Sequence, residues 1–155
     1  MSVRYDTTRK LVRGCRRGES AAWDALLKRH VVLISDGNAS QLGYAGMQAD
    51  RAELTAYLAS LSAVTEAEYR DWSKTQRLAF LINAYNAFTL SSVIDAYPVN
   101  SVQDIEGMFD SKRWTVAGKS LTLDGILHDV LRPEFNDPRI FFAISNAANG
   151  SPALF

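Results

Sequence analysis

Apolar residues recur along residues 73–97 at helical spacing: Leu78, Leu81, Tyr85, Phe88, Val93, Ile94 and Tyr97. Ser73 and Gln76 form a capping box at the start of this run, and Pro98 closes it because proline disfavours helical geometry at the residue before it. The pattern predicts a long central helix. Upstream, Trp23, Leu26, Leu27, Val31 and Ile34 predict a helix over residues 20–34 with Ser20 as its cap, followed by a turn-rich stretch at 35–40. Gly43 and Gly46 flank Tyr44 and permit close backbone packing. Asp50 with Glu53 opens a helix whose Leu54, Tyr57, Leu58 and Leu61 share one face, and Thr65 with Glu68 opens a short one bearing Tyr69 and Trp72. A further short helix is predicted over 101–109. Residues 114–116 and 120–123 flank Ala117, Gly118 and Lys119 and predict a β-hairpin. Residues 123–131 read as a helix stopping before Pro133, and residues 139–145, β-branched and aromatic, as a buried strand. Helices first, then hairpin, helix and strand, predict an α+β fold, a mostly helical N-terminal part packed on a small β-sheet.

Length and composition then narrow the picture. The 155 residues are 47% apolar and 22% charged, enough for one domain with its own core, read as residues 20–155. One cysteine excludes a disulfide framework and a multi-thiolate metal site, and His30 and His128 belong to no spaced ligand pattern, so neither a metal nor a cofactor is predicted. No apolar run approaches a membrane span, and the basic N-terminus lacks the apolar stretch of a secretory signal, which makes the cytoplasm the default location. The zero net charge hides an asymmetry: residues 1–30 carry eight Lys or Arg against three acids. Residues 1–19 read as a basic, solvated arm, with Cys15 as a surface thiol. Without aromatic interleaving the arm predicts no nucleic-acid partner.

Asn83 and Asn86 lie three residues apart in an otherwise apolar helix, so they point to nearly the same side and need hydrogen-bond partners if buried. Such a pair either holds an adjacent loop or binds a ligand. His128, among Ile126, Leu127 and Val130, reads as a histidine satisfied near a helix C-terminus or as a general base, with Asp124 four residues earlier as first-turn acid or as its orienter. Asp137 and Arg139 flank Pro138 and predict an ion pair bracing the turn. Ser145, Asn146, Asn149 and Ser151 make the final loop polar. With Asn83 and Asn86 they outline a pocket for a small polar ligand or peptide.

The run Leu78-Ala79-Phe80-Leu81-Ile82-Asn83-Ala84-Tyr85-Asn86-Ala87-Phe88-Thr89, then Tyr97-Pro98, then Leu121-Thr122-Leu123-Asp124 with His128, Leu131-Arg132 and Asp137-Pro138-Arg139-Ile140, resembles domain of unknown function family 547. Residues 23–31 and 44–54 are similar to that family's opening, so the resemblance spans roughly residues 20–155. It implies no agreed activity. It does imply an occurrence in bacterial exported and plant proteins, a distant relation to papain-like or transglutaminase-like folds, and a domain that continues some tens of residues further. The last point agrees with the apolar strand at 139–145, which needs edge partners that the hairpin alone does not supply. The expectation is therefore an incomplete C-terminus with self-association through an uncovered strand edge.

The resemblance also implies a His in that strand and two cysteines near a Cys-Pro step. Here those positions read Phe141, Asn146 and Ser151, the last followed by Pro152. The side chains best suited to acid-base or thiol chemistry are replaced. The favoured reading is a degenerate, non-catalytic binding or structural domain using Asn83, Asn86, Asn146 and Asn149. The alternative is an amide or acyl hydrolase with Ser151 as nucleophile, His128 as base and Asn83 or Asn86 as oxyanion donor.

Overall fold

A computed structural model describes residues 17–34, 39–145 and 147. Most of the basic arm, with Cys15, lies outside them, as does the turn at 35–38. Helix α1, Arg17–His30, begins before Ser20 and ends earlier than the apolar spacing predicts. Val31, Val32, Leu33 and Ile34 leave the helix and form strand β1, Val31–Ile34, antiparallel to β2, Ala39–Leu42, with Val31 opposite Leu42. Three of those four residues are β-branched, which stiffens χ1 and favours the extended chain once a partner strand is present.

Helices α2, Tyr44–Ala49, and α3, Arg51–Ser62, follow. Asp50 sits at the start of α3 without capping it through its side chain. Its carboxylate instead lies 2.8 Å from His30 Nε2 and 3.4 Å from an Arg29 guanidinium nitrogen. The Gly43 N–H donates to the His30 carbonyl at 2.8 Å, and a Cβ on Gly46 would lie 2.9 Å from His30 Nδ1. The end of α1 is thus pinned to α2 and α3 through one histidine. Gly46→Ala gains helix propensity but must displace a ring already tied to Asp50. We expect a net loss of about 1 kcal/mol, read as a lower urea midpoint, with the His30 ring resonances shifted by loss of the Asp50 contact.

Thr65 caps α4, Glu66–Asp71, accepting from Glu68 N–H, and Ser73 with Gln76 makes the full capping box of α5, Lys74–Ala96. Every residue of α5 from Leu78 to Ile94 is buried, so this helix is enclosed on all sides rather than presenting one apolar stripe. Trp23 stacks on Tyr57, Phe88 stacks on Trp114, and Phe80 meets Tyr69 and Trp72. The buried apolar side chains of the described residues, from Trp23 to Ile144, form one continuous core.

The helix expected over 101–109 is only a 3-10 turn, Val102–Asp104, capped by Ser101. Gly107, at φ 66°, then turns the chain away, and its carbonyl accepts from the N–H groups of Ser111 and Lys112. The predicted hairpin forms, β3 Trp114–Val116 pairing antiparallel with β4 Lys119–Leu121, so Lys119 belongs to the second strand and the turn is Ala117 and Gly118. The next helix does not stop before Pro133. A π-helical segment, Gly125–Leu131, runs into α6, Arg132–Phe135, where Pro133 occupies the first turn and its missing N–H costs little. Asn136 ends it in the left-handed conformation, φ 46°.

Residues 139–145 are not a strand. Pro138–Phe142 is a 3-10 helix whose N-cap, Asp137, accepts from Arg139 N–H while its carboxylate pairs with the Arg139 guanidinium. A strand needs a ladder, whereas this segment meets a proline, a cap and a helix surface, so local hydrogen bonding overrides β propensity. The strand edge on which self-association was argued is therefore absent from the described residues. Helices with two small antiparallel sheets make the fold α+β. No helix among the described residues is long and apolar enough to cross a membrane.

Candidate functional site

Asn83 and Asn86 stand in the middle of α5, where the enclosing core leaves them 1% and 7% exposed. The Asn86 amide is fully engaged: Nδ2 donates to the Ala143 carbonyl at 2.9 Å, and Oδ1 accepts from the Ser145 N–H at 2.8 Å. The main-chain groups that a strand would offer to a neighbouring strand are here taken by one side chain. Beyond them, Ser145 Oγ accepts from the Ala147 N–H at 3.3 Å, and Ala147 turns with φ 60°. Asn83, one turn before Asn86, has a buried Nδ2 with no hydrogen-bond partner among the described residues. The buried Thr89 Oγ1 also has none.

Tyr85, between the two amides in sequence, is buried, and its hydroxyl is pushed up to about 12 by burial and then by the negative charge of Asp124. It is held as a neutral phenol, a hydrogen-bonding group rather than a base. No cationic side chain bonds to either amide among the described residues.

His128 takes its partner from its own helix. It is exposed on the π-helical segment, whose Ile126, Leu127 and Leu131 point into the core. Its Nδ1 is 3.1 Å from Arg132 Nη1, and because a guanidinium only donates, this nitrogen is an acceptor. Asp124 does not orient it: no hydrogen bond joins them, and His128 shares none with Asn83 or Asn86. Phe141 is 48% exposed beneath the Arg132 guanidinium, 5.9 Å from its carbon. Asn146, Asn149 and Ser151 lie outside the described residues. Of the predicted site, the structure therefore joins Asn86 to the loop at 143–145, places Asn83 one turn before it, and shows no hydrogen bond from His128 to either.

Two arrangements escaped the sequence reading. Tyr69 donates to Glu134 at 3.1 Å, while Arg77 pairs with the same carboxylate at 2.7 Å and lies over the Tyr69 ring. This ties α4, α5 and α6 together. Burial, reinforced by the Glu134 charge, raises the Tyr69 hydroxyl well above its ordinary value. The other is the contact between His30 and Asp50. Both join residues far apart in sequence, so no local spacing announces them. Among the described residues no group of three or more His, Cys, Asp or Glu is placed to hold a metal ion.

An α+β domain built around an enclosed helix with paired buried asparagines is what these observations define. The model of the family described as "Protein of unknown function, DUF547" matches residues 69–155, over half of the chain, and the chain belongs to that family. The match takes in α5, the hairpin and the loop held by Asn86; residues 23–31 and 44–54 lie before it. No curated protein matches the chain, and no solved structure does.

Proposed function

We propose that this chain is a binding domain without a catalytic step, in which Asn83, one turn from the loop that Asn86 holds, receives a small polar ligand or a peptide. The supporting observation is Asn83, 1% exposed with its Nδ2 unpartnered. A buried donor left unsatisfied costs about 1–3 kcal/mol, and an apolar residue of similar size would remove that cost. A bound acceptor that offsets it gives the asparagine a reason to be there. Helix α5 is also the most enclosed element, so a group fixed on it is held in place without further ordering.

The alternative, papain-like or transglutaminase-like hydrolysis with Ser151 as nucleophile and His128 as base, draws no support from an exposed His128 bonded to Arg132. The test combines two measurements on the whole chain. Folded protein treated with a serine-directed fluorophosphonate is expected to remain unlabelled, while a panel of short peptides and small neutral amides contains members that raise its melting temperature. Asn83→Leu is expected to abolish that rise while leaving the unliganded protein as stable as before, or up to about 1 kcal/mol more stable. Labelling that disappears in Ser151→Ala would overturn the reading, and so would a ligand shift that survives Asn83→Leu.

A further inference from the structure

We propose that the group received by Asn83 is a neutral main-chain carbonyl of a peptide segment, an inference that rests on the binding reading above. Asn86 supplies the first argument. It grips the carbonyl of Ala143 and the N–H of Ser145, main-chain groups two residues apart where the 3-10 helix ends, with Ala143 still in the helical region. A side-chain amide on this helix thus already reads peptide backbone at both a donor and an acceptor. Asn83 presents the same amide one turn away on nearly the same side, with its donor buried and free.

The second argument is charge. The residues around Asn83 on α5 are Ile82, Ala84 and Ala87, all buried, and the charge felt by the neighbouring Tyr85 is the negative one of Asp124. An anionic ligand brought to Asn83 would be desolvated without a positive partner, a cost that a neutral carbonyl avoids. The third is the course of the chain. After Ser145 the Ala147 N–H turns back onto Ser145 Oγ and Ala147 takes a positive φ, so the stretch gripped by Asn86 ends there. The carbonyl for Asn83 then comes either from a separate peptide or from a later part of this same chain.

The side-chain amide protons of Asn83 report on this directly. They are assigned in the full chain with 15N-labelled asparagine as the pair missing from Asn83→Leu, and are followed while N-acetyl-tetraalanine amide or sodium acetate is added. A downfield shift of the Asn83 amide with the peptide and none with acetate, the Asn86 amide staying in place, is the expected result and assigns a separate peptide as the source. If the Asn83 protons are already downfield and protected before any addition, and no probe moves them, the carbonyl belongs to this chain. The backbone inference then stands and the binding reading falls. A shift with acetate alone overturns the peptide inference and leaves a ligand site. Unprotected protons that neither probe moves overturn both.

Discussion

Phe88→Ala is expected to lower stability by about 3–5 kcal/mol, the range for deleting a fully buried aromatic ring. Phe88 is fully buried in the middle of α5 and stacks on Trp114 with ring centres 4.4 Å apart and planes 15° from parallel. Its removal opens a cavity where the long helix meets the hairpin. The indole keeps the Lys112 ammonium over its ring, 4.6 Å from the ring centre, but loses its apolar partner. Domains of this size lose roughly 2–4 °C of melting temperature per kcal/mol, so calorimetry should show a fall on the order of 10 °C. Phe88→Leu keeps most of the volume and should recover more than half of the loss. Phe141→Ala removes an aromatic ring of the same size from the surface and should stay within about 0.5 kcal/mol of the unmodified chain. A comparable loss at both positions would mean that Phe88 is not the core residue described.

Asn86→Ala is expected to cost about 2–4 kcal/mol, because it strands two buried main-chain groups, the Ala143 carbonyl and the Ser145 N–H, each worth about 1–3 kcal/mol when unsatisfied. The signature is local as well as global: hydrogen exchange at the Ser145 amide should accelerate far more than at the amides of α3, since the loop is released before the core opens. Asn83→Leu is predicted to have the opposite sign, neutral or stabilising. Two asparagines one turn apart, equally buried and alike in sequence, should thus respond oppositely to losing their amides. Equal losses at both positions would show that Asn83 has a structural partner of its own.

Much of the helical frame is legible in the chain. The capping box of Ser73 and Gln76, the Thr65 cap and the helical spacing from Leu78 to Ile94 act within a few residues of each other, so the sequence carries them whole. The hairpin is local for the same reason, two short strands joined by Ala117 and Gly118. The Asp137–Arg139 ion pair is likewise read correctly from adjacent residues, although it braces a 3-10 turn rather than a strand. Where helical spacing and strand pairing, or side-chain preference and available partners, compete, the reading fails. Val31 to Ile34 fit a helical stripe, but they become a strand because Ala39 to Leu42 can pair with them. Residues 139–145 have strand-forming side chains and no strand to meet.

The same division runs through the candidate site. Sequence by itself determined that Asn83 and Asn86 share a side of one helix and that this helix is the centre of an α+β domain. Only the tertiary structure decided that Asn86 is consumed by the loop at 143–145 while Asn83 is left with a free donor, and that His128 faces solvent beside Arg132. Spacing along a helix fixes direction, because the backbone geometry is the same wherever the helix sits. Partnership depends on which distant segment folds against that direction, and for Asn86 that segment is 57 to 59 residues away.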